Sequence, residues 1–462
     1  MRTWNSRPCA VECGGLIVSK GMKISLVRTA AIICLLPSIH LHLQAAQSTE
    51  KSVADSPDGD VEEFRVSALE SKLTTMPSGP ERNYFEGVLA NRTGHLNDSI
   101  RLLGEALPHL REGHRARAAR ALELLADDYN KTFRYAEADQ TFGDLLAHFG
   151  AELHGDELKG TKDDAGVAHL LRGAPGQTIS WQGPEKLKTE RNVINSLVTE
   201  LTINGVEEKW LLDTGANLSV VSRSLARRLN LKPLPGFAQT MSGLTGIENP
   251  LQVALIPVFQ MGGATLQNVV VLILDDANLN LKLPTGNYQI NAIVGYPVFQ
   301  SLGAITFRHD GVFEAGPTQT SASGARMYMR LLTPVIECDV HGIELPFTFD
   351  TGATGTILSI RYFRRFGAEA RGWKEGENVT AGGGGAIKRK VYLQPELDLK
   401  IGKKVATIRN VPVFPAKTGA DLDELYGNLG QDVEAGFESF TLDFSKMTFT
   451  LGNPLQGATR GE

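Results

Sequence analysis

The sequence predicts a small all-α region followed by an all-β region that is built from two related lobes. Three observations lead to this fold class. Between about residues 80 and 150, apolar residues recur at three- and four-residue spacing, which is typical of amphipathic helices. From Gly176 onward the pattern changes to short or alternating apolar runs separated by Gly, Asn and Pro, which is typical of strands and tight turns. The second half of this β-rich part then repeats the first.

The repeat centres on two copies of Asp-Thr-Gly-Ala, which begin at Asp213 and Asp350. A glycine in a predicted turn precedes each Asp at the same distance, and a small hydroxyl residue, two aliphatic residues and a serine follow each copy. A second apolar-Gly step comes later in each copy, because Gly295 follows Asp213 at nearly the same separation as Gly430 follows Asp350. We therefore predict a duplicated domain in which each copy supplies one carboxylate.

The composition excludes several classes of partner and chemistry. A chain of 462 residues with 42% hydrophobic and 21% charged residues is long enough for about three globular domains. A formal net charge of −5 gives no reason to expect binding to nucleic acid or to an anionic membrane. The sequence has no Gly-x-Ser-x-Gly, no His-Glu-x-x-His and no Cys/His metal spacing, so we expect no metal and no cofactor.

Residues 1–46 are predicted to be an N-terminal extension and a signal peptide. Two positive residues, Lys23 and Arg28, precede a short apolar core at residues 29–36, and small residues suited to cleavage follow. The core is too short and too interrupted for a stable membrane span. We expect an exported protein, periplasmic or extracellular, with an uncleaved N-terminal anchor as the alternative. Residues 1–21 lie upstream of this signal and are interpreted as an extension from a misplaced start.

The rest of the chain is divided into segments by its composition and by the spacing of its apolar residues. Residues 47–79 are polar with little periodicity and are predicted to be a linker, and residues 80–175 form the helical region. The two lobes are predicted at residues 176–316 and 326–462. Residues 317–325, rich in Pro, Thr, Ser and Gly, would connect them. The single cysteine of the mature chain falls in an apolar strand of the second lobe, so we expect it to be buried and to form no internal disulfide.

The helical region resembles tetratricopeptide repeats. The positions that fit the helix-turn-helix spacing of one unit are Gly87, Ala90, Gly94, Ser99, Leu103 and Ala106, and those that fit a second unit are Tyr129, Ala138, Phe142 and Leu145. Ser99 and Ala138 occupy corresponding positions but lie farther apart than one usual repeat, which implies a longer loop between the units. The resemblance implies a surface for a substrate or a protein partner. A small helical bundle without a peptide groove is the alternative.

The paired Asp-Thr-Gly-Ala sequences and the later apolar-Gly steps resemble those of the aspartic endopeptidases, in particular the retroviral-type and bacterial retropepsin-like group. The resemblance covers roughly residues 180–455. It implies a bilobal acid-protease fold in which each lobe supplies one catalytic aspartate, Asp213 and Asp350. Because both lobes lie in one chain, a monomer would be sufficient for a complete site.

The residue types in the triplets suit this chemistry. Two carboxylates about 3 Å apart cannot both ionise, so they share a proton, and the ionised partner can activate a water while the other donates to the peptide carbonyl. Gly215 and Gly352 permit close backbone approach, and their N–H groups would hold the carboxylates in plane. The resemblance implies that Thr214 and Thr351 hydrogen-bond across the lobe junction.

Glycine-rich segments at corresponding places in the two lobes are predicted to be flap tips over the substrate. Their first glycines follow the respective Asp at nearly the same distance in the two copies. The candidate residues are Gly243, Leu244, Thr245 and Gly246 in the first lobe and Gly382, Gly383 and Gly384 in the second. Glycine would let the tips bend and bring backbone donors close to an extended peptide. Two flexible surface hairpins without this role are the alternative.

Together these features predict an aspartic endopeptidase that hydrolyses peptide or protein segments in extended conformation. The rival class is a non-catalytic, exported peptide-binding or scaffold protein that retains the protease fold. A binding module has no need of two close carboxylates, so the two intact triplets favour the enzyme.

Overall fold

The computed structural model describes residues 55–183, 186–241, 248–283, 286–316, 324–382, 385–418 and 421–455. The predicted extension and signal peptide lie outside these residues, as does most of the predicted connector. The described chain begins with a helical region and continues as a large β-rich region, so the predicted order of an all-α region and β lobes is confirmed. Among the described residues, no helix has the length and apolarity needed to cross a membrane.

The helical region consists of consecutive helices joined by short turns. Its helices are α1 (Pro57–Glu62), α2 (Val66–Leu73), α3 (Pro80–Arg92), α4 (Leu96–Gly113), α5 (Arg115–Lys131), α6 (Tyr135–Phe149) and α7 (Gly155–Leu171). Three of the turns carry a residue in the left-handed conformation: Phe64 (φ 56°) between α1 and α2, Gly94 (φ 76°) between α3 and α4, and Phe133 (φ 58°) between α5 and α6. A shared apolar core joins the helices. Whether they form tetratricopeptide repeats remains a prediction.

These three turns lie against the β-rich region at three different places. The ring of Phe64 packs edge-on against Tyr328 of the second lobe, with ring centroids 6.1 Å apart. Gly94 lies against Met447, so close that an added Cβ would be 3.2 Å from the sulfur. Phe133 packs into an apolar cluster with strands of the first lobe. The helical region therefore contacts both lobes and the sheet between them.

Helices α1 and α2 lie inside residues 47–79, for which we predicted a linker. Val66 and Leu69 of α2 are fully buried, although the segment as a whole is polar. Val66 is buried in a cluster with Val335 of the second lobe, a contact between residues far apart in the chain. The buried apolar residues of α2, Val66, Leu69 and Leu73, do lie at helical spacing, but a helix of eight residues is too short to give a sustained period in the sequence.

The first lobe follows the helical region. Its strands and helices are β1 (Thr178–Trp181), β2 (Lys186–Arg191), β3 (Leu197–Ile203), β4 (Val206–Leu212), β5 (Ser219–Ser222), α8 (Arg223–Arg228), β6 (Ala238–Met241), β7 (Glu248–Met261), β8 (Ala264–Leu274), β9 (Asn280–Leu283), β10 (Gly286–Gln289), β11 (Ala292–Val294), α9 (Tyr296–Leu302), β12 (Ala304–Arg308) and β13 (Val312–Gly316).

The second lobe has a corresponding series. Its strands and helix are β14 (Ala325–Arg330), β15 (Thr333–Val340), β16 (Ile343–Phe349), β17 (Ile357–Leu358), α10 (Ile360–Phe366), β18 (Lys374–Gly382), β19 (Gly385–Ile401), β20 (Lys404–Val413), β21 (Gly427–Leu429), β22 (Ser439–Asp443) and β23 (Thr448–Leu451). Cys338 on β15 is buried, as predicted.

The two lobes share one strand arrangement around each Asp-Thr-Gly loop. In the first lobe, β11 lies between β4, with which it runs parallel, and β5, with which it runs antiparallel. In the second lobe, β21 lies in the same way between β16 and β17. Leu212 thus pairs with Val294, and Phe349 pairs with Leu429. This repeated arrangement brings the second apolar-Gly step of each lobe beside its own Asp.

A sheet with strand order β2-β13-β12-β22-β23-β14 joins the lobes. Its central pair is symmetrical: Thr306 of β12 lies opposite Thr441 of β22, and their hydroxyl oxygens are 2.8 Å apart. On one side of this pair Phe307 lies opposite Phe440, and the two rings stack with centroids 4.8 Å apart. The approximate two-fold axis between the lobes therefore passes between the two threonines.

Candidate active site

The two candidate aspartates occupy equivalent positions at the ends of equivalent strands. Asp213 follows β4, and its N–H donates to the carbonyl of Val294 at 3.1 Å. Asp350 follows β16, and its N–H donates to the carbonyl of Leu429 at 3.0 Å. Each Asp is therefore held by the strand that precedes the later apolar-Gly step of its own lobe. That strand is β11 before Gly295 in the first lobe and β21 before Gly430 in the second.

The loop after each Asp turns back on the carboxylate. The N–H of Gly215 donates to Oδ1 of Asp213 at 2.9 Å, and the N–H of Gly352 donates to Oδ1 of Asp350 at 2.7 Å. Each carboxylate thus accepts a charge-assisted hydrogen bond from its own loop, which restricts the rotation of the side chain. The same two glycines face the aspartate of the opposite lobe.

The two threonines of the triplets exchange hydrogen bonds across the junction. The N–H of Thr214 donates to Oγ1 of Thr351 at 2.9 Å, and the reciprocal bond is 3.1 Å long. Each hydroxyl then donates to the opposite strand, that of Thr351 to Leu212 O at 2.7 Å and that of Thr214 to Phe349 O at 3.3 Å. Both threonines are fully buried, so these bonds are shielded from water and hold the two loops in one relative position.

The result is a pair of carboxyl groups within hydrogen-bonding reach of each other. Burial first, then the charge of Asp350 and a hydrogen bond with it, raise the pKa of Asp213 well above its ordinary value, although N–H groups of its own loop act in the opposite direction. Both side chains stay partly accessible to solvent. Such a pair holds one proton between two carboxyl groups, and its titration belongs to the pair.

Two hydroxyl residues also support the loops, although we assigned them no role from the sequence. The N–H of Gly295 donates to Ser219 Oγ at 3.1 Å, and the N–H of Gly430 donates to Thr356 Oγ1 at 3.2 Å. In the second lobe, Asp432 accepts from both the N–H (2.8 Å) and the hydroxyl (2.6 Å) of Thr356. The sequence does contain a signal for these two residues, because a small hydroxyl residue recurs at the same position in both copies.

A second set of supporting residues acts on the Asp350 loop and comes from both lobes, with Arg191 in the first lobe and Gln431 and Glu434 in the second. The side-chain amide of Gln431 donates to the carbonyl of Thr351 and accepts from Arg191. Arg191 also forms an ion pair with the buried Glu434, with a nitrogen-to-oxygen distance of 2.8 Å. No repeated pattern identifies these residues in the sequence, since the first lobe has Tyr296 where the second has Gln431.

The predicted flap tips fall mostly outside the described residues. The hairpins that would carry them are present: β6 pairs with β7, and β18 pairs with β19. Gly382 ends β18, and its backbone pairs with Gly385. The predicted flap residues outside the described part of the chain are Gly243, Leu244, Thr245, Gly246, Gly383 and Gly384. A role for either hairpin in covering substrate remains a prediction.

Comparison with known proteins agrees with this geometry. Residues 199–298 and 336–433 match a family model described as aspartyl protease, one match in each lobe. No curated protein matches the sequence significantly. The fold is thus a helical region followed by two lobes of the aspartic protease fold, and the predicted fold class is confirmed in this respect.

Three solved structures are similar to parts of the chain. Basic 7S globulin from soybean is 10% identical over 58% of this chain and 94% of its own, with a TM-score of 0.37. Conglutin gamma, a basic 7S globulin from lupine seeds, is 11% identical over 59% and 96%, with a TM-score of 0.39. A retropepsin-like aspartic protease from Rickettsia conorii is 17% identical over 30% and 92%, with a TM-score of 0.22.

Proposed function

We propose that the protein is an aspartic endopeptidase in which Asp213 and Asp350 act together on one water molecule. The observation that carries the proposal is the mirrored pair of Asp-Thr-Gly loops, locked by reciprocal threonine hydrogen bonds, with the two carboxyl groups in contact. A pair that holds one proton has both an acid and a base ready at the same place. Hydrolysis of a peptide bond needs this combination.

In the proposed reaction, the ionised carboxylate takes a proton from the water as the water oxygen attacks the peptide carbonyl carbon. The protonated carboxyl donates to the carbonyl oxygen, which gives a neutral tetrahedral intermediate. The carboxyl group that took the water proton then gives it to the nitrogen as the C–N bond breaks, while the other carboxylate takes a proton from a hydroxyl group of the intermediate, so the dyad is again singly protonated. The loop N–H groups of Gly215 and Gly352 keep both carboxyl groups oriented through these transfers.

The substrate is proposed to be a peptide or protein segment in extended conformation. The β6–β7 and β18–β19 hairpins lie at corresponding places in the two lobes, and hairpins that cover the site would pair their backbone with a strand-like ligand. The helical region is proposed to be tetratricopeptide-like and to recruit a substrate or partner, by analogy with such repeats. We also propose that the protein is exported to the periplasm or the extracellular space. It is proposed to act as a monomer.

The test is cleavage of a diverse peptide library from pH 3 to pH 8 by the folded, signal-free protein, in comparison with Asp350→Asn. We expect cleavage that is lost in Asp350→Asn and kept in Asp398→Asn, a matched change at an exposed aspartate of the second lobe. Inhibition by pepstatin would add support. Cleavage that survives in Asp350→Asn would refute the dyad. Absence of cleavage at every pH, with peptides still bound, would favour the non-catalytic peptide-binding protein.

A further inference from the structure

The carbonyl of Thr351 and the N–H of Gly352 belong to the same peptide unit, which is planar and trans. Its N–H donates to Asp350 Oδ1 at 2.7 Å. Its carbonyl, on the opposite side of the unit, accepts from the side-chain amide of Gln431. Because the unit is rigid, a donor that holds the carbonyl also determines the direction in which the N–H points.

Gln431 is itself held by Arg191. The guanidinium donates through Nη1 to the amide oxygen of Gln431 and through Nη2 to Glu434 Oε1 at 2.8 Å. Nη1 also donates to the carbonyl of Asn195 at 3.0 Å, which ties the group to the first lobe. With its oxygen occupied by Arg191, the amide of Gln431 must direct its nitrogen towards Thr351. The sequence of contacts therefore runs from the first lobe, through Arg191 and Gln431, to the catalytic loop of the second.

The first lobe has no counterpart of this arrangement at the corresponding position. Tyr296 follows Gly295 as Gln431 follows Gly430, but its ring is buried and packs edge-on against Phe444, with centroids 5.5 Å apart. The first lobe therefore has a buried tyrosine ring at the position where the second lobe has the side-chain amide that supports the peptide unit beside Asp350. The two halves of an otherwise symmetrical dyad differ at this point.

We infer that Gln431 and Arg191 are positioning residues that direct the Gly352 N–H at Asp350, and that this makes Asp350 the ionised partner and Asp213 the protonated partner in the resting dyad. A hydrogen bond to the charged form of a carboxyl group stabilises that form. This inference rests on the proposed function, because a base and an acid are assigned within the proposed dyad.

Arg191 lies in the wall of a cavity of about 320 Å³ beside the sheet that joins the lobes, together with Glu434, His309 and Arg308. The other charged or titratable residues that line this cavity are Glu190, Arg308, His309, Asp310 and Glu434, and Asp432 follows Gln431 in the chain. Burial raises the pKa of both Glu434 and Asp432. Arg308 supplies a control, because it lines the same cavity but its side chain binds exposed Asp310.

The test combines kinetics with carboxyl titration. In Gln431→Met we expect kcat to fall about tenfold, the effect of one misdirected hydrogen bond to a charged group, with KM unchanged within about twofold. The acidic limb of the pH–rate profile should move to higher pH, since the ionised form of the pair is less stabilised. Gln431→Glu keeps the oxygen that accepts from Arg191 but loses the donor to Thr351, so it should behave in the same way. Arg308→Met should match the wild type in kcat and pH profile.

Carboxyl ¹³C NMR titration of the dyad provides a readout that needs no turnover. Gln431→Met or Gln431→Glu should alter the titration of the pair while the thermal unfolding midpoint shows a folded protein. If Gln431→Met fails to fold, Gln431→Glu and Arg191→Lys decide the question. Wild-type kcat together with an unchanged carboxyl titration would overturn the inference. A wild-type protein that cleaves nothing would refute the proposed function, whereas the titration would still decide whether Gln431 orients the dyad.

Discussion

Gly352 of the second lobe lies directly against the carboxyl group of Asp213 in the first. A Cβ added to Gly352 would be 2.6 Å from the carboxyl carbon of Asp213, and one added to Gly215 would be 2.5 Å from that of Asp350. Neither glycine has a left-handed backbone, so their conformation alone does not require glycine. The requirement comes from the close approach of the two lobes, which leaves no room for a methyl group beside either carboxylate.

Gly352→Ala should therefore impair the dyad by pushing Asp213 away. We expect cleavage to fall by about 10²- to 10⁴-fold, the contribution of a positioned acid or base. Overpacking should reduce the free energy of unfolding by about 1–3 kcal/mol. Steady-state kinetics and urea unfolding measure the two effects. Gly143→Ala, in α6 with nothing within 4 Å of the added Cβ, should instead stabilise the protein by about 0.5–1 kcal/mol. Equal effects of the two changes would contradict this account.

Asp213→Asn should make the free energy of unfolding depend less on pH. The pKa of Asp213 is raised in the folded state, so the folded protein retains a proton that the unfolded chain releases above about pH 4. The free energy of unfolding of the wild type therefore falls as the pH rises from about 4 towards the raised pKa. Asparagine should remove this loss, and it should also abolish the proposed cleavage. Thermal unfolding of both proteins from pH 3 to pH 8 measures this difference. The same change of stability with pH in the two proteins would contradict the prediction.

Asp128→Asn should reduce the pH dependence of the free energy of unfolding between about pH 4 and pH 7. Asp128 is fully buried in α5, and burial together with the nearby charge of Asp127 raises its pKa to about 7. The amide of Asn91 donates to it at 2.8 Å. Between about pH 4 and pH 7 the folded state holds this proton and the unfolded state does not, so stability falls with rising pH by about 1.4 kcal/mol per unit of pKa difference. Urea unfolding at pH 4 and pH 7 compares the variant with the wild type. If the wild-type protein is equally stable at pH 4 and pH 7, the prediction is wrong.

Phe64→Ala should destabilise the whole described chain. The side chain is 6% exposed and packs on Tyr328, and the guanidinium of Arg92 lies 4.0 Å from its ring centroid. Loss of a buried Phe costs about 3–5 kcal/mol. We expect a single unfolding transition at lower temperature, because the helical region and the lobes share this contact. Phe237→Ala, at a ring that is 71% exposed, should change little. A separate early transition of the helices alone would show that the contact does not couple the two regions.

The sequence by itself determined the features that are local and repeated. Each Asp-Thr-Gly loop is short, and duplication placed Asp213 and Asp350 in equivalent surroundings, so the comparison of the two copies identified both. The hydrogen bonds between the threonine hydroxyls followed from the resemblance to the aspartic endopeptidases, which rests on the same two triplets. The change from helical to alternating apolar patterns likewise defined the order of the α and β regions, because periodicity reflects which face of an element is buried.

Only the tertiary structure decided which non-repeated residues support the site. Arg191 and Gln431 lie in different lobes and meet because β2 joins the sheet between the lobes. Phe64 became a core residue through contact with a lobe that begins far later in the chain. Such contacts leave no period and no second copy in the sequence, since they depend on how separate elements pack and not on how any one element forms.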